Sequence, residues 1–249
     1  GPLGIGEGTI ITSGKAQLAL PPSNSGSTGF NQGRSGHTMC NPLTAPHGSY
    51  DANWLTITFD LAAGYDGISF KFIFGSDEYP EWVGSSYNDV FGAYLNGGQV
   101  AFDSNGAPIT INGPFFSGSN VVVAPATETE YDGSTPILKT KAVMQGGTTG
   151  NVLHFIVCDA GDGSYDSGVF IQGMSGCIGD DCTGTTEPCQ NQDADGDGSN
   201  ACDDCNDSDP TIYPGASEDC NDLDDDCDGS IDEGFGTVTC GLGECFHSQ

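Results

Sequence analysis

Aspartates recur at every second position and then meet a glycine in two runs, Asp193-Ala-Asp195-Gly-Asp197-Gly198 and Asp222-Leu-Asp224-Asp-Asp226-Cys-Asp228-Gly229. The chemistry these runs suit is capture of a hard cation. Ca²⁺ takes six to eight oxygens at about 2.3–2.6 Å, and a tight loop lets one short segment supply them. Asp193, Asp195 and Asp197 fill the first, third and fifth places of such a loop, and Gly198 falls sixth, where the sharp turn favours a residue without Cβ. Ser199 is seventh, with its carbonyl to offer, and Asp204 is twelfth. An aspartate there reaches less far than the bidentate glutamate that usually closes a loop of this kind, which predicts a weaker site or a bridging water. The second run repeats the register from Asp224: Asp226, Asp228 and Gly229 keep step, and Asp232 is ninth. Phe235 stands twelfth, so its remaining ligands must come from Asp222, Asp232, Glu233 or another segment, and Asp207 and Asp209 lie between the two runs. A disordered acidic tail would account for the charge but not for the period of two, the glycine register or the interleaved cysteines. Ca²⁺ is the cofactor expected.

A second set of oxygen donors lies earlier. Ser76-Asp77-Glu78-Tyr79-Pro80-Glu81, Ser86-Tyr87-Asn88-Asp89 and Asp159-Ala-Gly-Asp162-Gly-Ser-Tyr165-Asp166-Ser167 are three acidic loops next to apolar strands. Carboxylates brought that close cannot all stay ionised without compensation. A buried calcium site is expected, with Glu78, Asn88, Asp89, Asp159 and Asp162 as ligands. Tyr79, Trp82, Tyr87 and Tyr165 interleave with these acids and are candidates for a sugar-binding contact face, or for core. Catalysis is not expected. Paired carboxylates alone permit glycoside hydrolysis, but the four histidines show no metalloprotease spacing, and neither a G-x-S-x-G elbow nor a phosphate-cradling loop is present.

The charge is lopsided. Five Lys and Arg face 35 Asp and Glu across 249 residues, and all five basic residues precede position 142. Nineteen of the acids follow position 180, so the last 69 residues repel themselves unless cations neutralise them. Nucleic acid and anionic lipid are poor partners for such a surface. Of the 11 cysteines, Cys40, Cys158 and Cys177 lie in the first part and eight follow from Cys182. That density in a small module points to disulfides and an oxidising compartment. Zinc is the rival reading for Cys202-Asp-Asp-Cys205, but no second pair or histidine stands at matching spacing. No run of 18 apolar residues exists, so no segment of this sequence is expected to insert into a membrane.

The elements that must hold these residues are strands. Leu55, Ile57, Phe59 and Leu61 alternate with polar residues, and Ile68, Phe70, Phe72 and Phe74 alternate with Ser69, Lys71 and Ile73, each pattern predicting one buried and one wet face. Further runs are expected at Val90–Leu95, Gln99–Phe102, Pro108–Ile111, Asn120–Ala124, Ile137–Met144, Val152–Cys158 and Gly168–Gln172, with Asn96-Gly-Gly98 as a hairpin turn. Closely spaced short strands without a helical period predict an all-β antiparallel sandwich or jelly-roll head, followed by a small irregular module stabilised by calcium and disulfides. The boundaries expected are 1–4 as a tag-removal scar, 5–178 as the β-sandwich, 179–192 as a linker, 193–234 as the acidic repeat, and 235–249 as the opening of another cysteine-rich repeat. Residues 21–50 read as a long irregular loop, with Cys40 stapling it to the body.

Three of these segments carry a resemblance. Phe72-Ile-Phe-Gly-Ser-Asp-Glu-Tyr-Pro-Glu-Trp82, Tyr87-Asn-Asp-Val-Phe-Gly92 and Asp162-Gly-Ser-Tyr-Asp-Ser-Gly-Val-Phe170 resemble the bacterial choice-of-anchor L domain. Cys205-Asn-Asp-Ser-Asp-Pro-Thr-Ile-Tyr-Pro-Gly-Ala216 with Asp226-Cys-Asp-Gly-Ser-Ile-Asp-Glu-Gly234 resembles the MopE-type metal-binding repeat, and the acidic module is similar to thrombospondin type 3 repeats. The resemblance implies a secreted or outer-membrane-surface bacterial protein. Some MopE relatives are linked with copper, but no Met lies in this module and its nearest His is His247, so copper is unsupported. The combined expectation is a recognition head on a calcium-stiffened stalk, binding a surface glycan or protein on another cell or matrix in adhesion. The alternatives are a purely structural spacer or a secreted polysaccharide hydrolase.

Overall fold

A computed structural model describes residues 2–21, 29–190, 192–221 and 223–234, and the chain divides after Pro188 into two units. The first unit is a β-sandwich. Its strands in chain order are β1 (Thr9–Thr12), β2 (Ser49–Leu61), β3 (Gly67–Ser76), β4 (Val90–Leu95), β5 (Gly98–Gln99), β6 (Ile109–Thr110), β7 (Val122–Val123), β8 (Gly133–Ser134), β9 (Leu138–Val143), β10 (Thr148–Ala160), β11 (Ser167–Cys177) and β12 (Glu187–Pro188). One antiparallel sheet runs β1-β11-β3-β8-β7, with β9 also on β3 and β12 on β9. The other runs β2-β10-β4-β5, with β6 also on β4.

The core is the aromatic stripe read from the alternation. Phe70, Phe72 and Phe74 of β3 are fully buried and meet Phe91 of β4 and Phe155 of β10 across the sandwich, with ring centroids 4.9 Å apart for Phe70–Phe155 and 4.6 Å for Phe72–Phe91. Truncating such a ring to Ala costs about 3–5 kcal/mol. The edge strand β2 keeps the expected wet face, with Thr56, Thr58 and Asp60 exposed. Strand β3 does not. Ser69 and Ile73 are buried as well, because β3 is flanked by strands on both edges and covered on both faces. The Asn96-Gly97 turn joins Leu95 to Gly98 with φ of 50° and 87°, the doubly positive turn that matches strand twist.

The segment expected as a linker is folded. Gly179–Cys182 makes a helical turn closed by the Cys177–Cys182 disulfide, and β12 pairs with β9. Buried Asp181 sits 2.8 Å from Lys141 Nζ and 3.9 Å from Lys139 Nζ. The boundary therefore falls at Pro188, ten residues beyond the expected end of the sandwich at 178. The irregular loop contains one helical turn, Asn41–Thr44, and Cys40 just before it is joined to Cys158 of β10.

The second unit has no strand or helix among its described residues. Apart from cysteines, Ala201 and Ile212 are its buried apolar residues, while Asp204, Asp207, Asp225 and Asp232 are buried acids. Disulfides Cys189–Cys202 and Cys205–Cys227 cross-link it, so the two sulfurs of the C-x-x-C leave in different directions and the zinc reading falls. Asp222 and the repeat expected at 235–249 lie outside the described residues.

Candidate metal centres

The two acidic loops of the second unit are built alike. In the first, Asp193 Oδ2 accepts the Gly198 N–H at 3.2 Å, Asp195 Oδ1 accepts from Asp197 N at 3.2 Å, and Asp197 Oδ1 accepts from Ser199 N at 2.7 Å. In the second, Asp224 Oδ2 accepts from Gly229 N at 3.0 Å, Asp226 Oδ1 from Asp228 N at 3.1 Å, and Asp228 Oδ1 from Ser230 N at 2.8 Å. The register read from Asp193 and from Asp224 is thus the same register in space. Gly198 and Gly229 have φ of 101° and 94°, a region that a Cβ would strain. The first aspartate of each loop accepts backbone N–H groups on both oxygens, Asp193 from Gly196 and Gly198 and Asp224 from Asp228 and Gly229, while Asp195, Asp197, Asp226 and Asp228 each accept on Oδ1.

The carboxylates of these loops converge. Asp193, Asp195 and Asp197 bring ligand atoms within 4.8 Å of one another, as do Asp195, Asp204 and Asp207. The second loop has the trios Glu218, Asp224, Asp226 and Asp226, Asp228, Glu233. Asp195 and Asp226, third in their loops, each belong to two trios. Burial, with the nearby Asp197, Asp195 and Asp207 charges, pushes Asp204 up to about 6, and burial raises Asp195 and Asp224 too. Such shifts are what a cation would reverse.

Two expected ligands stand elsewhere. Asp209 Oδ1 accepts from Thr211 N and Oγ1, a turn cap outside every trio. Asp232 Oδ1 accepts from Asn221 N at 2.9 Å and also joins no trio. Ser199 donates its N–H to Asp197, a bond that does not involve the carbonyl expected as a ligand. Glu218 was missed. Its Oε1 gathers the N–H groups of Asp225 and Asp226, and its Oε2 that of Asp232, which folds it onto a loop that begins six residues later.

In the sandwich, strand register brings the acidic loops to one end. Thr12 faces Gly168, Ser76 faces Ser167, Cys158 faces Val90 and Ala160 faces Ser49, so the ends of β1, β3, β4, β10, β11 and β2 meet there. Asp89 is fully buried and bridges the sheets, accepting from Ala160 N at 2.9 Å and from Ser167 Oγ at 2.7 Å. Burial pushes Asp89 up to about 7 and Asp77 and Glu78 up to about 9, with neighbouring carboxylates adding to each. Burial, then Asp89, raises Asp159 well above the carboxylate range. Glu78, Asp89, Asp159 and Asp162 are thus brought to one place. Asn88 Oδ1 accepts from Asn112 N at 2.9 Å. Asp77 and Asp166, passed over in the sequence as ligands, join the group.

Of the aromatic candidates, Trp82, Tyr87 and Tyr165 are half-buried and form one ring cluster, with Trp82–Tyr87 centroids at 5.1 Å and Trp82–Tyr165 at 6.3 Å. Tyr79 packs on Phe116 at 6.1 Å and belongs to the core side.

Residues 2–176 match the family model of the choice-of-anchor L domain, and residues 204–233 match that of a MopE-type metal-binding motif. The first aspartate run, 193–197, precedes the second match. Among curated proteins none matches this sequence. Among solved structures, the X-ray structure of a carbohydrate-binding module specific for non-crystalline cellulose is similar over 65% of this chain and 98% of its own, at 11% identity and a TM-score of 0.31, a likeness too slight to carry any argument about ligand.

Proposed function

We propose that this chain, which belongs to the choice-of-anchor L domain family, is a cell-surface or extracellular binding protein whose C-terminal module is folded by Ca²⁺ and whose β-sandwich recognises a surface glycan or protein in adhesion. The observation that carries the metal reading is the pair of matching aspartate ladders, each with one aspartate shared between two oxygen trios. The donor set fits a hard cation: the convergent atoms are carboxylate oxygens, the described cysteine pairs are in disulfides, and residues 178–234 contain no His or Met. Soft or borderline ions such as copper and zinc prefer sulfur and imidazole. Mg²⁺ demands a near-ideal octahedron, whereas Ca²⁺ tolerates the irregular, crowded sets found here. Asp193, Asp195, Asp197, Asp204 and Asp207 would hold the ion in the first loop, and Glu218, Asp224, Asp226, Asp228 and Glu233 in the second. Bound there, Ca²⁺ supplies positive charge to a segment that has no basic residue of its own. Titration calorimetry of the whole chain should give saturable Ca²⁺ binding, with Kd of about 10⁻⁴–10⁻³ M or tighter as for extracellular modules. Cu²⁺ binding to these loops in preference to Ca²⁺ would contradict the assignment.

For recognition, the support is the half-buried Trp82, Tyr87 and Tyr165 cluster beside the acidic end of the sandwich. Flat rings with a polar edge suit a saccharide face. Retention on a glycan array should require calcium and fall away in Trp82→Ala. A wild-type chain retained on no glycan and on no cell surface would leave a structural spacer instead.

A further inference from the structure

We propose that the β-sandwich holds a divalent hard cation of its own, between Asp159 and Asp89 at the end where β1, β3, β4, β10 and β11 meet. This site shares no residue with the acidic module, lies outside the MopE match, and stands or falls separately from the proposal above.

Asp159 is 1% exposed; neither of its carboxylate oxygens has a well-formed hydrogen bond, and the Ser13 hydroxyl lies beside them. Asp77 Oδ2, Glu78 Oε2 and Asp166 Oδ2, all on residues no more than 3% exposed, are equally unpartnered. Buried carboxylates are ordinarily paired, hydrogen-bonded or bound to metal. Of the five basic side chains, Lys139 and Lys141 are committed to Asp181 and Lys15 lies over the Phe30 ring at 3.4 Å. The backbone is also shaped around these acids. A Cβ on Gly14 would sit 1.5 Å from Asp166 Oδ2, so only glycine admits that carboxylate.

Hydroxyls line the same place. Ser167 Oγ donates to Asp89 Oδ2, and Ser13 Oγ accepts from Ser167 N at 2.9 Å. Among the described residues, no three acids of the sandwich bring oxygens within 4.8 Å of one another, unlike those of the acidic loops. The ligand set is therefore two carboxylates completed by serine hydroxyls, backbone carbonyls and water, with Glu78 and Asp166 as flanking charge. Six to eight neutral and anionic oxygens at flexible geometry is calcium chemistry.

The test uses the full chain. Crystals grown with Tb³⁺ in place of Ca²⁺ should show an anomalous peak between Asp89 and Asp159 in addition to peaks in the acidic loops. Equilibrium dialysis with Ca²⁺ should show Asp159→Asn binding one ion fewer per chain than wild type, while Asp195→Asn keeps the sandwich ion. In EDTA, Asp159→Asn should melt no lower than wild type, since no ion is then bound there to be lost. Peaks confined to the acidic loops, or undiminished stoichiometry in Asp159→Asn, would overturn the proposal. A peak in the sandwich alone would uphold it and sink the reading of the acidic module.

Discussion

Asp195 and Asp226 occupy the third place of their loops and each serves two oxygen trios, whereas Asp209 serves none. Losing a charge-assisted contact costs about 1.5–3 kcal/mol, or roughly ten- to a hundredfold in affinity. Asp195→Asn is therefore expected to weaken Ca²⁺ binding by at least about tenfold in calorimetry, and Asp209→Asn to leave it unchanged; equal effects would break the distinction between ligand and turn cap. Residues of the aspartate ladders were legible because a loop's hydrogen bonds are local and its period is written along the chain. Glu218 was not, since its place depends on the chain returning to present three N–H groups to it.

At the scale of elements, long alternating strands were legible, and the two-residue strands β6 and β7 lie inside the runs expected at 108–111 and 120–124, whereas β8 and β12 were not expected. Val90–Leu95 falls where the pattern places it, and β10 and β11 extend beyond the runs expected for them. Strands β8 and β12 are two residues each and exist only through their partners β3, β7 and β9. The same cause hid the folding of 179–188, a Gly- and Thr-containing stretch that reads as linker until Asp181 is seen between two lysines. Removing one partner of a buried ion pair costs about 3–5 kcal/mol, because the other charge is left uncompensated. Asp181→Ala is expected to destabilise the sandwich by about that amount in urea unfolding, whereas a passive linker would show almost no change.

Across the whole molecule the excess of acids makes stability a matter of protons and cations. Without metal, Asp89 titrates near 7 and Asp77 and Glu78 near 9 in the folded sandwich, against about 4 when unfolded. The folded state then holds more protons than the unfolded one across this window. By linkage, the stability these groups contribute is complete below about pH 4 and is lost as pH rises through 7 and 9. In EDTA the melting temperature of the sandwich should fall between pH 5 and pH 9, and saturating Ca²⁺ should offset that fall because binding replaces the protons. A melting temperature that rises with pH in EDTA would contradict this.

The acidic module depends on the same exchange more completely, since Ala201, Ile212 and its cysteines are the apolar side chains it buries. Its order should come and go with the divalent ion. Amide hydrogen exchange across 193–234, measured at pH 7 with disulfides intact in calcium and again in EDTA, tests this most directly. Strong protection in calcium that collapses in EDTA is the predicted result; identical protection in both would contradict the account.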